Sequence, residues 1–375
     1  MLPGIDAIAF STSKYFLNLE MLAEHRNVTY AKYYSGIGQT RMSVFPPNED
    51  IVTVGIEAAR KAMVFVEDKN DVDILIFATE SSFDLSKSAG IYVHNFLKLK
   101  EDCRVFDLKQ ACYSATAALQ LAKSYVMENP RSKVLVVGSD IIRYPPGSSG
   151  EPTQGGAAVA FVVSQNPRIL GIEPYFGVHT YDIMDFWRPA YLNEALFDGK
   201  LSAYNYLKST DICVERYFKN SNLEISDINH ACFHAPFGKM AIKANNQSLK
   251  CESIDQTLIY NSIIGNSCSA SLFICFISLL DHLKSDLTGN RIGFFSYGSG
   301  SVAEFFSGIV SADYRKMMST ADNQAMISDR FEISFPEYEL ISGNALHDFD
   351  RYKNIGSVTL AGIDHNKRDY RTVSL

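Results

Sequence analysis

The sequence predicts an α/β protein built from two similar halves, and three observations lead to that prediction. Short apolar runs with the length of β-strands alternate with helical runs through most of the 375 residues. The strands are almost continuously apolar, which is typical of strands covered on both faces. The order of elements in residues 71–163 recurs in residues 227–310. We therefore expect two sheets covered by helices, one from each half of the chain.

Four kinds of segment recur in the same order: an apolar strand, a small-residue turn that opens a helix, a strand ending in small residues, and a closing strand after glycine. In the first half they lie at 71–79, 110–115, 133–140 and 157–163, and in the second at 227–235, 264–269, 291–298 and 302–310. The offset between matching segments stays near 155 residues for the first three pairs. This regular spacing indicates an internal duplication.

The division between the halves is predicted near residue 168, which gives units of residues 1–168 and 169–375. Turn formers dominate residues 145–150 (PPGSSG), so a loop is expected there, and residues 171–199 are expected to be a second connecting segment. Residues 270–280 (ASLFICFISLL) are too few to span a bilayer and predict a buried helix. The tail after about residue 311 is charged and irregular in pattern, so we expect it to wrap the surface.

Composition and charge exclude some classes of protein. The chain carries 35 Lys and Arg against 42 Asp and Glu, a formal net charge of -7, so no broad basic surface for nucleic acid is expected. The first ten residues (MLPGIDAIAF) have no basic start and no long apolar run, so no signal peptide is expected. Seven cysteines without framework spacing are typical of free thiols in a reducing compartment. We therefore predict a cytoplasmic protein with neither nucleic-acid nor membrane partners.

Cys112 is the first candidate for chemistry. It precedes the run YSATAALQLAKSYV, whose apolar spacing predicts a buried helix. A cysteine at a helix amino terminus faces unpaired N–H groups and the positive end of the helix dipole, and both favour the thiolate. The alternative is a small buried hydrophobic residue, which is the usual role of a free cysteine. Position alone leaves both roles open.

Glu80 is a second candidate because it follows the strand predicted at 71–79. Strand ends in α/β folds are where sites form, and a carboxyl group walled by Phe77 and Phe83 would have a raised pKa suited to acid–base catalysis. The alternative is an ordinary solvated loop glutamate.

His234 lies near the end of the matching strand of the second half. A histidine among apolar residues is most often a core residue, but the equivalence with the strand before Glu80 makes His234 a candidate as well. His230 and Cys232 lack the spacing of metal ligands, so no metal site is predicted.

Two segments of the second half are suited to binding. Lys239 and Lys243 are four residues apart, on one face of a helix expected to begin near Gly238, where they could hold a phosphate group or form a solvated face. Residues 296–300 (SYGSG) let backbone N–H groups approach a ligand, as an oxyanion hole requires, although a tight strand connection has the same pattern. No GxxxxGK[ST] or GxGxxG motif is present, so no nucleotide-phosphate loop is predicted.

Seven motifs spread along essentially the whole chain carry a resemblance to a known family: GIGQT (36–40), FDLKQACYSATA (106–117), EPTQGGAA (151–158), DFWRP (185–189), FHAPFGKM (233–240), FFSYGSG (294–300) and AGIDHNKRDY (361–370). In these motifs the chain resembles bacterial members of the hydroxymethylglutaryl-CoA synthase family. The resemblance implies the thiolase-like fold, in which duplicated α/β halves form a five-layered αβαβα core. It also implies an acyltransferase that forms a C–C bond between two acyl thioesters.

The resemblance implies roles for the matched residues. Cys112 would accept acetyl from acetyl-CoA, and Glu80 would remove a methyl proton, so that the resulting carbanion attacks the ketone of acetoacetyl-CoA. His234, with Asn266 beside it, would orient and polarise that ketone. The backbone at Cys112 and Ser296 would stabilise the thioester oxyanion. Hydrolysis would then release hydroxymethylglutaryl-CoA for the mevalonate (isoprenoid) pathway.

Other positions match by resemblance alone. Residues matching further active-site positions of the family are Asp140, Tyr144, Asp185 and Pro236. Lys239 and Lys243 match the coenzyme A contact. The resemblance implies a homodimer and no cofactor, since the coenzyme A thioesters are substrates.

One departure from the family pattern leaves a second carrier open. Residues 267–270 are Ser-Cys-Ser-Ala, where members that make mevalonate precursors usually have Tyr-Thr-Gly-Ser. A related branch that modifies polyketides takes its acyl groups from acyl carrier protein, and it often has the Lys-Gln-Ala-Cys-Tyr-Ser present here at 109–114. Lys239, Thr153-Gln154 and Trp187 instead match the mevalonate type. Acyl carrier protein therefore stays the alternative partner.

Two further alternatives concern the outcome of the reaction. A degradative thiolase or a ketoacyl synthase typically has no glutamate at the position of Glu80. A noncatalytic binding paralogue would have no chemical need for Glu80, Cys112 and His234 together.

Overall fold

A computed structural model of the chain describes residues 2–192, 194–343, 348–354 and 356–373. The strands in this part of the chain are β1 (Gly4–Ser11), β2 (Tyr15–Asn18), β3 (Arg41–Val44), β4 (Val72–Ala78), β5 (Arg104–Leu108), β6 (Lys133–Ile142), β7 (Gly155–Ser164), β8 (Leu170–Thr180), β9 (Phe186–Trp187), β10 (Leu196–Phe197), β11 (His230–Phe233), β12 (Arg291–Gly298), β13 (Val302–Val310), β14 (Phe331–Glu332), β15 (Val358–Asp364) and β16 (Lys367–Thr372). The helices are α1 (Leu19–His25), α2 (Ala31–Ile37), α3 (Ile51–Met63), α4 (Gly90–Leu97), α5 (Ser114–Glu128), α6 (Gly199–Ser221), α7 (Gly238–Gln247), α8 (Ile254–Leu258), α9 (Asn261–Ile264), α10 (Ser271–His282), α11 (Thr320–Ser328) and α12 (Phe335–Ser342). Among the helices described, none combines the length and the apolar character that a membrane span requires.

Nine strands form one hydrogen-bonded sheet in the order β11-β12-β13-β8-β1-β7-β6-β4-β5. Outward from the centre, the first half of the chain contributes β1, β7, β6, β4 and β5, and the second contributes β8, β13, β12 and β11. The strand directions correspond too: β1–β7, β7–β6, β8–β13 and β13–β12 are antiparallel, whereas β6–β4 and β12–β11 are parallel. The pattern that recurs in the sequence therefore corresponds to the same order and direction of strands in each half of the sheet.

The two half-sheets meet between β1 and β8. These strands pair over only two positions, Gly4 with Gly171 and Ile5 with Leu170. A Cβ at residue 4 would lie 2.0 Å from the Leu170 carbonyl oxygen, so only glycine fits this contact. The close approach joins the two halves into one body.

Helices cover both faces of the half-sheets. Two neighbouring residues of β6, Val137 and Gly138, contact different helices. A Cβ on Gly55 of α3 would lie 3.3 Å from the Val137 side chain, and a Cβ on Gly138 would lie 3.1 Å from Ala115 of α5. Because successive strand residues point to opposite faces, α3 and α5 lie on opposite sides of the first half-sheet. Helix α10 contacts strands of both half-sheets, and α6 packs on β8 and β13. The order of layers is the five-layered αβαβα arrangement of the thiolase-like fold.

Several sequence-based expectations are confirmed in detail. Residues 291–298 and 302–310 are strands with those bounds, and 145–150 form a loop. The apolar run at 270–280 is the buried helix α10, which begins one residue later, at Ser271. The proposed division near residue 168 falls in the connection between β7 and β8, and it stays a prediction.

The expectation that residues 171–199 are a connecting segment is wrong in part, because Leu170–Thr180 form strand β8, which lies next to the central strand β1. The strand contains Pro174, although proline cannot donate to a β-ladder. The pairing of β13 with β8 shifts register between Phe306 and Gly308, opposite the proline. An irregularity in the pairing therefore accommodates Pro174, a residue type that is rare inside strands.

The expectation of an irregular tail on the surface is also wrong. Beyond residue 311 the chain forms α11, α12 and β14 to β16. On α12, Phe335, Tyr338 and Ile341 are buried in a second core, where they pack with residues such as Leu19. The Tyr338 hydroxyl donates to Glu151 at 2.9 Å. These three apolar residues are spaced three apart and so lie on one face of α12, which packs into the core although the tail as a whole is rich in charged residues.

Candidate active site

Cys112 lies in a tight turn between β5 and α5. Ala111 has a left-handed backbone with φ of 44°, and the Ser114 hydroxyl donates to the Ala111 carbonyl at 2.7 Å. Helix α5 begins at Ser114, so Cys112 precedes the helix by two residues. A Cβ on Gly298 would lie 2.8 Å from the Tyr113 nitrogen, so a glycine on β12 lets the second half approach this turn.

The surroundings of Cys112 oppose its ionisation. The Cys268 thiol, whose sulfur lies 2.9 Å from that of Cys112, donates to it and lowers its pKa. Burial raises the pKa of Cys112, and the nearby carboxylates of Glu80, Asp140 and Asp185 raise it further. The net direction is upward, so the expectation that the helix terminus favours the thiolate is wrong for the resting site. A nucleophilic role for this sulfur would therefore require that the thiol proton leave.

Glu80 follows β4, and hydrogen bonds to its backbone hold it in place. Its N–H donates to Asp140 Oδ1 at 2.9 Å, and the Arg188 guanidinium donates to its carbonyl oxygen. Burial, and then the negative charge of Asp140, raise the pKa of Glu80 to about 8. This direction agrees with the sequence-based expectation. The carboxyl group can thus exchange a proton near neutral pH.

Asp140 is fully buried on β6 and connects the two halves. Its Oδ1 accepts hydrogen bonds from Thr79, Glu80 and Ser81 of the first half. Its Oδ2 accepts from the backbone and the hydroxyl of Ser269, at 3.0 and 2.5 Å. The segment that carries Glu80 is therefore fastened to the turn that precedes α10.

His234 follows β11 directly and is buried. Its backbone N–H donates to the Phe295 carbonyl at 2.8 Å, and its backbone carbonyl accepts from the Tyr206 hydroxyl at 2.5 Å. Burial lowers the pKa of His234 to about 3, so the imidazole is neutral near pH 7. Among the described residues, no partner lies within hydrogen-bond distance of its Nδ1. The backbone thus fixes the residue while the neutral ring stays available.

The thiol and the imidazole open into one cavity of about 270 Å³. Five residues singled out from the sequence line it: Cys112, Tyr144, His234, Pro236 and Asn266. The Asn266 N–H donates to the Thr153 carbonyl at 3.0 Å, and its side-chain oxygen accepts from the Cys268 N–H at 2.9 Å. Residues more than 100 positions apart in the chain therefore meet at this cavity.

An aromatic wall of the cavity was missed from the sequence. Phe186 and Phe197 are brought together by the β9–β10 hairpin. The ring of Tyr144 packs against both, at centroid distances of 6.3 and 5.1 Å. The motif at 185–189 was a usable signal, but it drew attention to Trp187, whereas its neighbour Phe186 lines the cavity.

Six other predicted residues do not line this cavity: Glu80, Asp140, Asp185, Ser296, Lys239 and Lys243. Asp185 is buried and accepts from the Tyr297 hydroxyl at 2.8 Å and the Gly300 N–H at 2.9 Å, so it supports the cavity wall from behind. Ser296 is also buried, and its hydroxyl accepts from Thr116 at 2.9 Å. Both side chains are engaged inside the protein.

The two lysines lie one turn apart on α7, which begins at Gly238 as predicted. Phe237 and Met240 line the cavity, so the amino-terminal end of this helix borders it. Lys239 is half-buried at that border, and Lys243 is exposed one turn further along. These cations are placed beside the cavity rather than inside it.

The fold and the site together define a class of enzyme. Two α/β halves enclose central helices, a cysteine lies in the turn before one of those helices, and a carboxyl and an imidazole follow equivalent strands. This is the arrangement of an acyl-condensing transferase with the thiolase-like fold.

Comparison with known proteins identifies the family. Family models described as hydroxymethylglutaryl-coenzyme A synthase N terminal and C terminal match residues 3–167 and 242–357. The chain is 39% identical to the hydroxymethylglutaryl-CoA synthase of Enterococcus faecalis, over 98% of this chain and 99% of that protein. It is 32% identical to the polyketide biosynthesis 3-hydroxy-3-methylglutaryl-ACP synthase PksG of Bacillus subtilis, over 90% and 87%. A solved HMG-CoA synthase complexed with CoA matches with a TM-score of 0.93 and 35% identity over 100% of both chains. The chain belongs to the hydroxymethylglutaryl-CoA synthase family.

Proposed function

We propose that this protein condenses acetyl-CoA with acetoacetyl-CoA to hydroxymethylglutaryl-CoA, with Cys112, Glu80 and His234 as catalytic residues. The observation that carries the proposal is the cavity into which a thiol of the first half and a neutral imidazole of the second both open. Family membership supports the same reaction.

In the first step the Cys112 sulfur attacks the thioester carbonyl of acetyl-CoA. A new bond forms between the acetyl carbon and this sulfur, the bond to the CoA sulfur breaks, and CoA leaves as a thiol with the proton. Backbone N–H groups at Cys112 and Ser296 are proposed to stabilise the oxyanion of the tetrahedral intermediate. The result is an acetyl-enzyme.

In the second step the Glu80 carboxylate removes a proton from the acetyl methyl group. The resulting carbanion attacks the ketone carbon of acetoacetyl-CoA, and the ketone oxygen takes up the proton that Glu80 removed, which gives the hydroxyl group and regenerates the carboxylate. Because the pKa of His234 is about 3, its imidazole is neutral and can donate an N–H to that oxygen without carrying charge. Asn266 lines the cavity beside it. Water then cleaves the Cys112 thioester, which releases the product and regenerates the thiol.

Coenzyme A is proposed to enter past the amino-terminal end of α7. Lys239 and Lys243 lie on one face of this helix, where their charges suit phosphate groups that remain outside the cavity. The aromatic wall then encloses the acyl end of the substrate. Asp140 and Asp185 would act by holding Glu80 and Tyr297 in place.

Acyl carrier protein is a second candidate for the carrier of the acyl groups. The specific observation in its favour is the segment at 267–270, whose buried Cys268 contacts the nucleophile where the mevalonate-type pattern has no cysteine. PksG, the relative that is named for acyl carrier protein, is the less similar of the two curated proteins. CoA is therefore the carrier we propose.

We also propose that the enzyme is a cytoplasmic homodimer that supplies the mevalonate pathway. Strand β5 is the outermost strand of the first half-sheet, and Phe106 on it is 40% exposed. An exposed edge strand with an apolar side chain is suited to pairing with a second copy of the chain.

The proposal is tested by measuring thiol release from the purified protein given acetyl-CoA and acetoacetyl-CoA. We expect a hydroxymethylglutaryl-CoA product by mass, with a loss of rate on the order of 10⁴-fold in Cys112→Ala. Cys103→Ala is the matched control, because Cys103 is a buried cysteine in the edge strand region, outside the cavity.

The same assay separates the alternatives. Acetylation of Cys112 without condensation, until carrier-protein thioesters are supplied, would establish acyl carrier protein as the carrier. Absence of acetylation from either donor would contradict both readings.

A further inference from the structure

A second thiol lies against the nucleophile and has no part in the reaction proposed above. The sulfur atoms of Cys112 and Cys268 are 2.9 Å apart, although the two residues are 156 positions apart in the chain. This separation is shorter than the usual contact of two non-bonded sulfur atoms. By contrast, Cys275 on α10 has its sulfur near the carbonyl oxygen of Phe233 and the side-chain oxygen of Asn261.

The two cysteines differ in access. Cys112 is half-buried and lines the cavity, so a small molecule that enters the cavity can reach its sulfur. Cys268 is fully buried behind it. A reagent therefore meets Cys112 first, and Cys268 is positioned to react only with what forms on Cys112. Cys268 thus occupies the position of a resolving thiol, and the raised pKa of Cys112 makes its reaction with peroxide slower than that of an ionised thiol.

Both cysteines lie in turns with left-handed backbone. Ala111, immediately before Cys112, and Cys268 itself both adopt left-handed backbone conformations, with φ of 44° and 45°. From these turns the two side chains meet across the two halves of the chain. A disulfide has an S–S distance of about 2.05 Å, so the sulfur atoms need to move by about 0.9 Å to bond.

We propose that Cys112 and Cys268 form a reversible disulfide when a hydroperoxide enters the active site. The Cys112 sulfur attacks the peroxide O–O bond and becomes a sulfenic acid, and one molecule of water or alcohol leaves. The Cys268 sulfur then attacks the sulfenic sulfur, the S–O bond breaks, and the hydroxyl group leaves as water with the Cys268 proton. The peroxide is reduced by two electrons, and the thiol pair is oxidised by two.

The disulfide has two consequences. It occupies the sulfur that would carry the acetyl group, so acetylation stops until a dithiol reduces the bond. It also halts oxidation at a reversible stage, because a sulfenic acid without a resolving thiol proceeds to the irreversible sulfinic acid. An acetylated Cys112 lacks the free thiol, so acetyl-CoA should protect the enzyme from peroxide.

The test treats the full-length protein with hydrogen peroxide and maps its peptides by mass spectrometry without reduction. We expect the peptides that contain Cys112 and Cys268 to be linked, and the linked species to be two hydrogens lighter than the sum of the two peptides. We also expect acetyl transfer to fall roughly tenfold or more and to return to the untreated rate after dithiothreitol. Prior acetylation should prevent both changes.

Two variants distinguish this chemistry from simple packing. After peroxide, Cys268→Ala should carry sulfinic acid at Cys112 and recover no activity with dithiothreitol, each rate being compared with that of the same untreated variant. Cys275→Ala, which removes another buried cysteine of the second half, should behave like the wild type. Cys268→Ser replaces the alanine variant if the latter does not fold.

Specific outcomes would overturn the proposal. Absence of the 112–268 linkage in peroxide-treated wild type is one, and equal recovery of wild type and Cys268→Ala is the other. The linkage is detected without an activity assay. If it forms in a protein whose untreated form takes no acetyl group, the proposed function fails and this inference stands.

Discussion

The two halves of this protein use one strand order to present different chemistry. Beyond β4 the first half presents Glu80, and beyond the equivalent β11 the second half presents His234. Burial raises the pKa of Glu80 to about 8 and lowers that of His234 to about 3. The directions are opposite, but the cause is shared, since burial disfavours whichever form of a group is charged. Burial beyond equivalent strands thus favours the neutral form of each group, and the residue type decides whether that form is reached by keeping or by losing a proton.

The turns before the two central helices show a similar divergence. Each turn has a left-handed residue three positions before its helix, Ala111 before Ser114 and Cys268 before Ser271. The next residue is Cys112 in the first half, which faces the cavity, and Ser269 in the second, which bonds to Asp140. One turn therefore carries the thiol that faces the cavity, and the other is bonded through Asp140 to the segment that carries Glu80.

The largest expected effect that tests this comparison comes from Glu80→Gln. The amide cannot accept the methyl proton, so condensation should fall by about 10²–10⁴-fold, while acetylation of Cys112 should persist. Acetyl-enzyme is measured by intact mass and condensation by product formation. Glu49→Gln is the matched control, because Glu49 is also buried with its pKa raised to about 8, whereas the charge of Glu80, and not that of Glu49, is among the causes that raise the pKa of Cys112. Loss of acetylation in Glu80→Gln would assign this carboxyl group to a different step.

The pH dependence of condensation should report the pKa of Glu80. A base acts in its ionised form, and a raised pKa means that this form is gained only as the pH rises toward about 8. The rate should therefore increase about tenfold per pH unit below that value and then level off. The measurement is single-turnover condensation of acetylated enzyme at a series of pH values. If the rate instead levelled off near the ordinary pKa of glutamate or of histidine, the raised pKa of Glu80 and the lowered pKa of His234 would not govern condensation.

The smallest expected effect concerns the second turn. Ser269→Ala removes hydroxyl hydrogen bonds to Asp140 at 2.5 Å and to the Ala78 carbonyl at 3.2 Å. Leaving those buried acceptors with one donor fewer should lower the free energy of unfolding by about 1–3 kcal/mol, measured by urea denaturation. Ser262→Ala is the control, since the Ser262 hydroxyl bonds near the surface and its loss should change stability by less than about 0.5 kcal/mol. Equal losses in the two variants would show that the second turn does not hold the halves together.

Local sequence patterns determined much of what is described above. Apolar runs and turn residues located β12 and β13 to the residue and showed that the chain repeats. They also placed Glu80 and His234 at the ends of equivalent strands and Cys112 in the turn before a central helix. These features follow from short-range patterns, namely strand periodicity and the conformations that small residues permit. The resemblance to a family then assigned roles to the same residues.

Other properties were decided only by the tertiary structure. The pKa of Cys112 is raised because chain segments far apart in sequence bury it beside carboxylates, and a helix terminus alone predicts the opposite. The contact with Cys268 and the packing of Tyr338 in the tail likewise join residues over 100 positions apart. Burial, charge and distance depend on which segments meet after folding, whereas strands and turns depend on neighbours along the chain. The sequence by itself determined where reactive side chains lie on the elements, and the fold decided which of them meet and in which charge state.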